Sequence, residues 1–399
     1  MNHLEENNIL SPQQHGFRRK RSCETQLLEL TEDLNETMEM GKQTDMIVLD
    51  FAKAFDKVNH DFLLHKLQHM GITGKINAWI KSFLADRRQA VVVEGNRSDY
   101  CAVKSGVPQG SVLGPSLFLL YINDLPEPLS ASTRLFADDT AVYKVRNSSD
   151  DSSDLQNDLR LLEDWERTWE MSFHPAKCTT LPVTRKTKPF SSEYQLHGHT
   201  LETAKSVKYL GVTLQDNLKW DLHINNTCNK ANKSLGFLRR NVKINSIQLK
   251  QTAYKTYVRP ILEYASTVWD PSTTTHIKQL ESVQRRAARF VANKYHSRAS
   301  VSDMSANLSW TSLEDRRKTA RLAMLYKIQH GLVRYNTNKL LPAPTRSRRT
   351  NSQQLKQITC RTEYRSSAFL PRTIREWNSL PEEAVAAPTL DTFVSRVRC

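Results

Sequence analysis

Two adjacent aspartates, Asp138 and Asp139, constrain the fold of this chain more than any other feature. An apolar run over 133–137 precedes the pair, and an alternating, β-branched run over 140–145 follows it. This pattern predicts a β-hairpin with the two acids at its tip. Neighbouring carboxylates at a turn repel each other unless a cation lies between them. Alone the pair is a weak signal, because many Asp-Asp turns are solvated surface loops.

A third acid, Asp50, follows the apolar run 46–49. The run predicts a buried strand that ends at this carboxylate, with a turn and then a helix from about Val58 to Met70. A strand-end carboxylate and a nearby acidic hairpin would bring three acids to one place. Three acids suit two Mg²⁺ ions about 3.5–4 Å apart, which serve in-line phosphoryl displacement. Considered alone, Asp50 could equally be a cap at the start of the helix.

The segment between the two acidic sites, 105–125, begins as a loop rich in glycine and proline and continues as an almost wholly apolar stretch. A helix without a polar face must be buried on most sides, so this stretch predicts a central helix. Gly106, Gly110 and Gly114 lack a Cβ atom, and we expect the backbone there to approach a flat or charged ligand closely. A tight turn before a core helix would explain the glycines and prolines, but not the Gln109-Gly110 pair.

In their order and spacing, these segments resemble the reverse transcriptase of non-LTR (LINE-type, jockey-like) retrotransposons. The resemblance covers nearly the whole chain. It includes a fingers motif, four palm motifs, the primer-grip hairpin and two later elements. In chain order these segments are Gln14-His15-Gly16-Phe17-Arg18, 49–56, 105–115, 136–140, 171–178, 209–212, 281–286 and 376–381.

The resemblance implies an α+β fold: a right-hand polymerase palm with partial fingers, then a mostly helical thumb and C-terminal region. The pattern agrees, because short β-rich runs alternate with helices up to about Val212 and helices predominate beyond Trp220. One of these helices, over 153–171, has a single apolar stripe and should pack on the sheet. The expected parts are partial fingers over 1–44, the palm over 45–216, a thumb-like region over 217–335, and a basic linker with a C-terminal segment over 336–399.

The same resemblance implies an activity, RNA-directed DNA polymerisation by two-metal catalysis. The partners would be an RNA template, a DNA primer and deoxynucleoside triphosphates. Asp50, Asp138 and Asp139 would hold two Mg²⁺ ions, for which Mn²⁺ could substitute, and the Phe51 carbonyl could add a backbone ligand. Lys177 would protonate the leaving pyrophosphate if its pKa fell towards working pH. An ordinary surface lysine is the alternative at that position.

Further residues would contact the nucleotide and the primer. Phe55 would stack below the incoming sugar and exclude a 2′-hydroxyl by collision, unless it is a core aromatic residue. Gln109 and Gly110 would line the nucleotide and template pocket. The primer grip would consist of Tyr209, Leu210 and Gly211.

Charge is distributed unevenly along the chain, whose net charge is +15. Up to Asp216 there are 25 Lys and Arg against 30 Asp and Glu; from Asn217 onward there are 32 against 12. The acidic part is consistent with a metal site and the basic part with binding to phosphates. An amphipathic helix in the basic part could lie along a duplex backbone. Its candidate nucleic-acid-binding residues are Arg285, Arg286 and Arg289.

Other sequence features exclude several classes of protein. The six cysteines include no Cys-x-x-Cys pair and no Cys/His spacing for zinc, which favours a reduced, intracellular protein. No stretch has the length of a membrane span, and the first residues have no signal-peptide character. We therefore expect a nuclear or cytoplasmic protein rather than a secreted one. The run Arg346-Ser347-Arg348-Arg349 belongs to the predicted basic linker.

The start of the chain leaves two functions open. Full-length members of the resembled family carry an endonuclease domain and more of the fingers before the Gln-x-Gly-Phe-Arg motif, so we expect truncated fingers here. Near the start, Arg18, Arg19, Lys20 and Arg21 are the basic residues that remain before the palm, where a triphosphate would be held. The alternative is that they lie on a solvated turn. The chain could be an element fragment, a truncated gene model or a host-retained relative. One function is an RNA-directed DNA polymerase; the other is a polymerase-fold protein that binds nucleic acid without efficient catalysis.

Overall fold

The computed structural model of the chain describes residues 2–148, 151–296, 299–343 and 351–398. These residues are 49% helical and 14% strand, which confirms the predicted α+β class. The predicted basic run over 346–349 lies outside the described residues. Within them, no helix combines the length and apolar character needed to cross a membrane. The chain divides into two units, of which unit 1 comprises 1–26 and 41–210, and unit 2 comprises 27–40 and 211–399.

Unit 1 contains most of the strands. Its helices are α1 (Asn2–Glu6), α3 (His60–His69), α4 (Gly74–Leu84), α5 (Gly114–Tyr121) and α6 (Ser152–Trp169), and α2 (Cys23–Glu39) begins in unit 1 but lies mostly in unit 2. Its strands are β1 (Gln43–Leu49), β2 (Arg88–Gln89), β3 (Val92–Val93), β4 (Asn96–Arg97), β5 (Cys101–Ala102), β6 (Ser132–Phe136), β7 (Asp139–Arg146), β8 (Thr179–Val183), β9 (Gln195–Leu196), β10 (His199–Thr200), β11 (Glu202–Thr203) and β12 (Ser206–Tyr209).

The main sheet of unit 1 has five strands in the order β11-β8-β1-β7-β6, with β1 at its centre. Strand β1 is antiparallel to both β7 and β8, and six of its seven residues are buried. Continuous burial is typical of a strand covered on both faces. Ile47 and Leu49 of β1 belong to the same apolar core as α5 and α6. The core therefore supports the strand that ends at Asp50.

Helices α5 and α6 both confirm their sequence predictions. All residues of α5 from Leu117 to Tyr121 are buried, as expected for a helix without a polar face. In α6 the predicted apolar stripe, which includes Leu155, Leu159 and Trp165, is buried in the same core. Both helices thus share one apolar core with the central strand β1.

Unit 2 is mostly helical. Its elements are β13 (Val212–Gln215), α7 (Asp221–Asn241), α8 (Ile247–Tyr257), α9 (Arg259–Glu263), α10 (Ser266–Trp269), α11 (Thr274–Ala292), α12 (Val301–Asn307), α13 (Leu313–Gln329), α14 (Glu363–Ser366), α15 (Phe369–Asn378), α16 (Glu382–Val385) and α17 (Leu390–Arg398). Helix α11 packs against α7, and α13 packs against α10, α15 and α17. A buried ionic group joins these helices: Asp270 lies 2.6 Å from Arg317 and 2.8 Å from Arg321.

Candidate active site

The register of the main sheet brings Asp50 close to Asp138 and Asp139. Leu49, the last residue of β1, pairs with Thr140 of β7, so the residue after β1 lies beside the start of β7. Phe136 pairs with Asp139, which leaves Ala137 and Asp138 as a two-residue turn. The predicted acidic hairpin is therefore confirmed. Ala137 has a φ of 53°, a left-handed conformation that costs a non-glycine residue about 1–2 kcal/mol.

The three carboxylates interact electrostatically. Desolvation by the surrounding protein raises the pKa of Asp138, and the charge of Asp50 raises it further. The pKa of Asp139 is raised by desolvation and then by the charges of Asp138 and Asp50. Such mutual repulsion is relieved when a cation binds among the acids, so the chemistry of the donor set fits a divalent ion. Within the described ranges, however, no three His, Cys, Asp or Glu side chains are arranged to hold a metal ion.

Backbone contacts fix the position of Asp50. Its carbonyl accepts a hydrogen bond of 2.7 Å from the amide of His174. A 3₁₀ turn, Pro175–Lys177, follows that residue and places Lys177 Nζ 3.3 Å from Asp50 Oδ2. The Lys177 side chain is 63% exposed. The lysine predicted to act at this site is therefore beside Asp50 and accessible from solvent, and its role as a proton donor stays a prediction.

The two phenylalanines of the first palm motif have different environments. The Phe51 ring is buried, with its centroid 4.2 Å from that of Phe173 and 6.2 Å from that of Trp165. Only its backbone could therefore contact a ligand. Phe55 is half-buried, and its ring stacks on Phe118 with a centroid distance of 4.4 Å. One face of the Phe55 ring thus contacts the core. The predicted selection against a 2′-hydroxyl would have to come from the part of the ring that is not packed on Phe118.

The glycines of the 105–115 loop serve two different purposes. Gly106 has a φ of 84°, and a Cβ atom there would lie 2.7 Å from the Cα of Asp56; a Cβ at Gly114 would collide with the carbonyl of Pro108. These two glycines permit close contact between segments of the protein itself, rather than with a ligand as predicted. Gly110 has a φ of 80° and open space around its Cα. The exposed Gln109 beside it donates a hydrogen bond of 3.0 Å to Asp56.

The Gln-x-Gly-Phe-Arg motif lies against the acidic hairpin, a contact that the sequence did not reveal. The amide of His15 donates to the carbonyl of Leu135 at 2.7 Å. Gln14 is buried, and its Oε1 accepts a hydrogen bond of 2.9 Å from the amide of Ala137. A glutamine close to a glycine was the available signal, but nothing in the sequence identified its partner 123 positions away.

Arg18 in the same motif is engaged within the protein. Its guanidinium is buried, pairs with both carboxylate oxygens of Glu5 at 2.6 and 2.8 Å, and donates to the carbonyl of Ser11 at 2.6 Å. Arg18 is therefore neither on a solvated turn nor available to a triphosphate, because its donors are already bound to Glu5 and Ser11. Arg19 and Lys20 are exposed.

The predicted primer grip contains a buried side chain and an unusual turn. The Tyr209 hydroxyl accepts a hydrogen bond from Gln26 and donates to the carbonyl of Arg134 at 3.4 Å. Burial raises the pKa of Tyr209, so the phenol stays neutral. Leu210 and Gly211 both have positive φ angles, 45° and 80°. Because the Tyr209 ring is not accessible, a primer contact would involve the backbone of this turn.

The candidate nucleic-acid-binding arginines lie on α11 of unit 2. Arg285 and Arg286 are exposed, and Arg289 is half-buried. Arg286 donates a hydrogen bond of 2.8 Å to Asn232 on α7. An open groove of about 460 Å³ lies next to this contact. Its lining consists of polar, basic and small residues of α7: Asn229, Asn232, Lys233, Gly236 and Arg240.

Comparison with known proteins identifies the class to which this fold and acidic hairpin belong. Residues 1–214 match the family described as "Reverse transcriptase (RNA-dependent DNA polymerase)". The chain belongs to this reverse transcriptase family, whose members generally use divalent metal ions.

Several similar proteins are named RNA-directed DNA polymerases of transposons or mobile elements, which confirms the resemblance to non-LTR retrotransposon reverse transcriptases inferred from the sequence. The chain is 30% identical over 295 residues to the RNA-directed DNA polymerase from mobile element jockey of Drosophila melanogaster, covering 70% of this chain and 32% of that protein. It is 28% identical over 354 residues to the probable RNA-directed DNA polymerase from transposon BS of the same organism, covering 85% of this chain and 39% of that protein. The chain thus spans well under half the length of these relatives.

Among solved structures, an apo telomerase from Candida tropicalis aligns with a TM-score of 0.44 at 13% identity, covering 83% of this chain and 52% of that chain.

Proposed function

We propose that this chain is the RNA-directed DNA polymerase core of a non-LTR retrotransposon. It would add deoxynucleotides to the 3′-hydroxyl of a DNA primer, directed by an RNA template. The observation that carries this proposal is the strand register, which sets Asp50 beside the hairpin that contains Asp138 and Asp139. Desolvation, and then the charges of neighbouring aspartates, raise the pKa values of Asp138 and Asp139. The names of the similar retrotransposon proteins support the same activity.

The three aspartates would hold two Mg²⁺ ions, or Mn²⁺ in their place, with the Phe51 carbonyl as a further ligand. Bound divalent ions would stabilise the charge that develops on the attacking and leaving oxygens of an in-line displacement. The repulsion among the carboxylates supports this role, because it favours an added cation over the empty site. Asp50 is linked to Lys177 across 3.3 Å. The Lys177 ammonium group would donate a proton to the leaving pyrophosphate.

The neighbouring residues would position the nucleotide. Gln109 and Gly110 lie on the exposed part of the 105–115 loop, where Gly110 leaves open space for a ligand. Phe55 is partly accessible after it stacks on Phe118, so its edge could exclude a 2′-hydroxyl. Gln109 is linked to the first palm motif through Asp56. That hydrogen bond would hold the 105–115 loop at a fixed distance from the segment that follows β1.

Unit 2 would bind the template and primer through phosphate contacts. The exposed Arg285 and Arg286, with Arg289 on the same helix, present positive charge beside the α7 groove. The excess of basic residues after Asn217 supports this role. We therefore propose partial fingers over 1–44, the palm over 45–216, a thumb-like region over 217–335, and a linker with a C-terminal segment over 336–399.

Primer extension by the purified chain, with RNA or DNA as template and Mg²⁺ or Mn²⁺ as metal, tests the proposal. Asp138→Asn should reduce extension by roughly 100-fold or more and leave template affinity nearly unchanged, because it removes a metal ligand and no phosphate contact. The matched control is Asp86→Asn, at an exposed turn residue of unit 1. Template binding by a wild-type chain that extends no primer under any condition would refute polymerisation and favour the alternative of binding without catalysis.

A further inference from the structure

The turn that carries Asp138 is joined to a distant glutamine. Gln14 Oε1 accepts one hydrogen bond of 2.7 Å from the amide of Gly16 and another of 2.9 Å from the amide of Ala137. Gln14 is 2% exposed, so both hydrogen bonds are shielded from water. Buried amides that lose their acceptor are strongly disfavoured. A single side-chain oxygen thus satisfies two backbone groups, one in each segment.

The geometry of the hairpin requires such support. Ala137 immediately precedes Asp138 and has a left-handed backbone, which persists in a non-glycine residue only when its surroundings fix it. Gly16 supplies the second constraint, because a Cβ atom there would collide with the amide nitrogen of Ala137. The segment 14–16 and the hairpin therefore fit together closely at the residue next to the acid.

We propose that Gln14 is a positioning residue for the acidic hairpin: its amide oxygen fixes the Ala137 backbone and thereby the direction of the Asp138 carboxylate. This role rests on the proposed function, because a fixed carboxylate matters most when it binds a metal. Gln14 itself contacts neither metal nor substrate. A carboxylate that is already held in the metal-binding orientation binds a metal ion more tightly, because less conformational freedom is lost on binding. The first motif of the chain would thus act on catalysis through the turn.

Three variants of the full chain test this role. Gln14→Leu keeps the approximate size of the side chain and removes the acceptor. Gln14→Glu keeps Oε1 and replaces Nε2, which has no hydrogen-bond partner among the described residues. The matched control is Gln13→Leu, because the Gln13 side chain accepts a hydrogen bond from Ser11 rather than from the hairpin.

Amide hydrogen exchange at Ala137 is the primary measurement, with Ile47 at the centre of β1 as the reference for overall stability. We expect exchange at Ala137 to be about tenfold faster in Gln14→Leu after correction for any change at Ile47, since the removal of one hydrogen bond corresponds to roughly that factor. In Gln14→Glu the Ala137 rate should return to within about threefold of wild type. Mn²⁺ affinity, measured by electron paramagnetic resonance without nucleotide, should fall several-fold in Gln14→Leu and stay unchanged in Gln13→Leu.

The outcomes separate this inference from the proposed function. Equal Ala137 exchange in Gln14→Leu and Gln13→Leu, or no rescue by Gln14→Glu, would overturn the positioning role. If Gln14→Leu does not fold, Gln14→Glu decides alone, because the retained acceptor must preserve Ala137 protection. Failure of wild-type protein to extend a primer would refute polymerisation, whereas the exchange and Mn²⁺ measurements would still decide the role of Gln14. In an active enzyme, Gln14→Leu should lower kcat more than it changes KM for the nucleotide.

Discussion

Lys66 on α3 offers a test of how a buried charge affects the stability of unit 1. Its ammonium group is buried, donates to the carbonyl of Tyr121 and to Asp124 at 2.6 Å each, and lies 3.5 Å from the centre of the Trp169 ring. Desolvation outweighs the attraction of Asp124 and lowers the pKa of Lys66 from 10.5 to about 8. The side chain thus connects α3 with α5 and α6, but it buries a charge.

The pKa shift determines how stability changes with pH. Below about pH 8 both the folded and the unfolded chain carry the Lys66 proton, and the burial penalty is fully present. Above that pH the folded state loses the proton, while the unfolded state keeps it up to about pH 10.5. The contribution of Lys66 to the free energy of unfolding should therefore rise with pH, by about 2 kcal/mol between about pH 7.5 and 9.5 and by about 3 kcal/mol in total.

Comparison of wild type with Lys66→Met isolates this contribution from other groups that titrate in the same range. We expect the free energy of urea unfolding of wild type, relative to the variant, to increase by about 2 kcal/mol from about pH 7.5 to 9.5. The control is Lys75→Met on α4, whose side chain is exposed and for which the difference should stay constant. Parallel pH profiles for wild type and Lys66→Met would refute the argument, because they would mean that burial does not disfavour the charged amine.

Two further predictions concern the nucleotide and the nucleic acid. Phe55→Ala should raise incorporation of ribonucleotides relative to deoxynucleotides, because it removes the ring that would collide with a 2′-hydroxyl; unchanged discrimination in a folded variant would assign Phe55 to the core alone. Replacement of Arg285, Arg286 and Arg289 by glutamine should reduce the slope of log affinity against log salt by up to about 3, roughly one for each phosphate that is no longer neutralised. The control makes the same charge change in unit 1, by replacing the exposed residues Lys75, Lys81 and Lys104 with glutamine. If the control reduces the slope equally, α11 is not a specific contact surface for nucleic acid.

Several features of the acidic site could be predicted from local sequence, because they depend on the repeat of the secondary structure. Alternating residues on both sides of Asp138 and Asp139 indicated a hairpin, and the register of β6 and β7 confirms it. The apolar run before Asp50 indicated a buried strand, which is the centre of the sheet. The helix without a polar face is buried, as α5 shows. In each case the information lies within about ten residues along the chain.

The partners of polar groups were decided only by tertiary structure. Arg18 was one of the basic residues that could contact a phosphate or lie on a solvated turn, but it is buried and pairs with Glu5. Tyr209 was expected to contact a primer, but its ring is buried and its hydroxyl is hydrogen-bonded within the protein. The sequence does not show whether the partner of a charged or hydroxyl side chain is a ligand or another part of the protein. A buried polar group needs a hydrogen-bond partner, and either kind of partner satisfies it.

The glycines and Gln14 show the same limit. Gly106 was expected to approach a ligand, and it approaches Asp56 instead. The sequence correctly indicated that there is no room for a Cβ atom at this position, but it did not indicate which atoms a Cβ would clash with. Gln14 and Ala137 are 123 positions apart, and their hydrogen bond exists because the pairing of His15 with Leu135 brings the two segments together. Local sequence determined the elements and the acids; contacts between distant segments determined which side chains hold those acids in place, because such contacts arise only once the chain has packed.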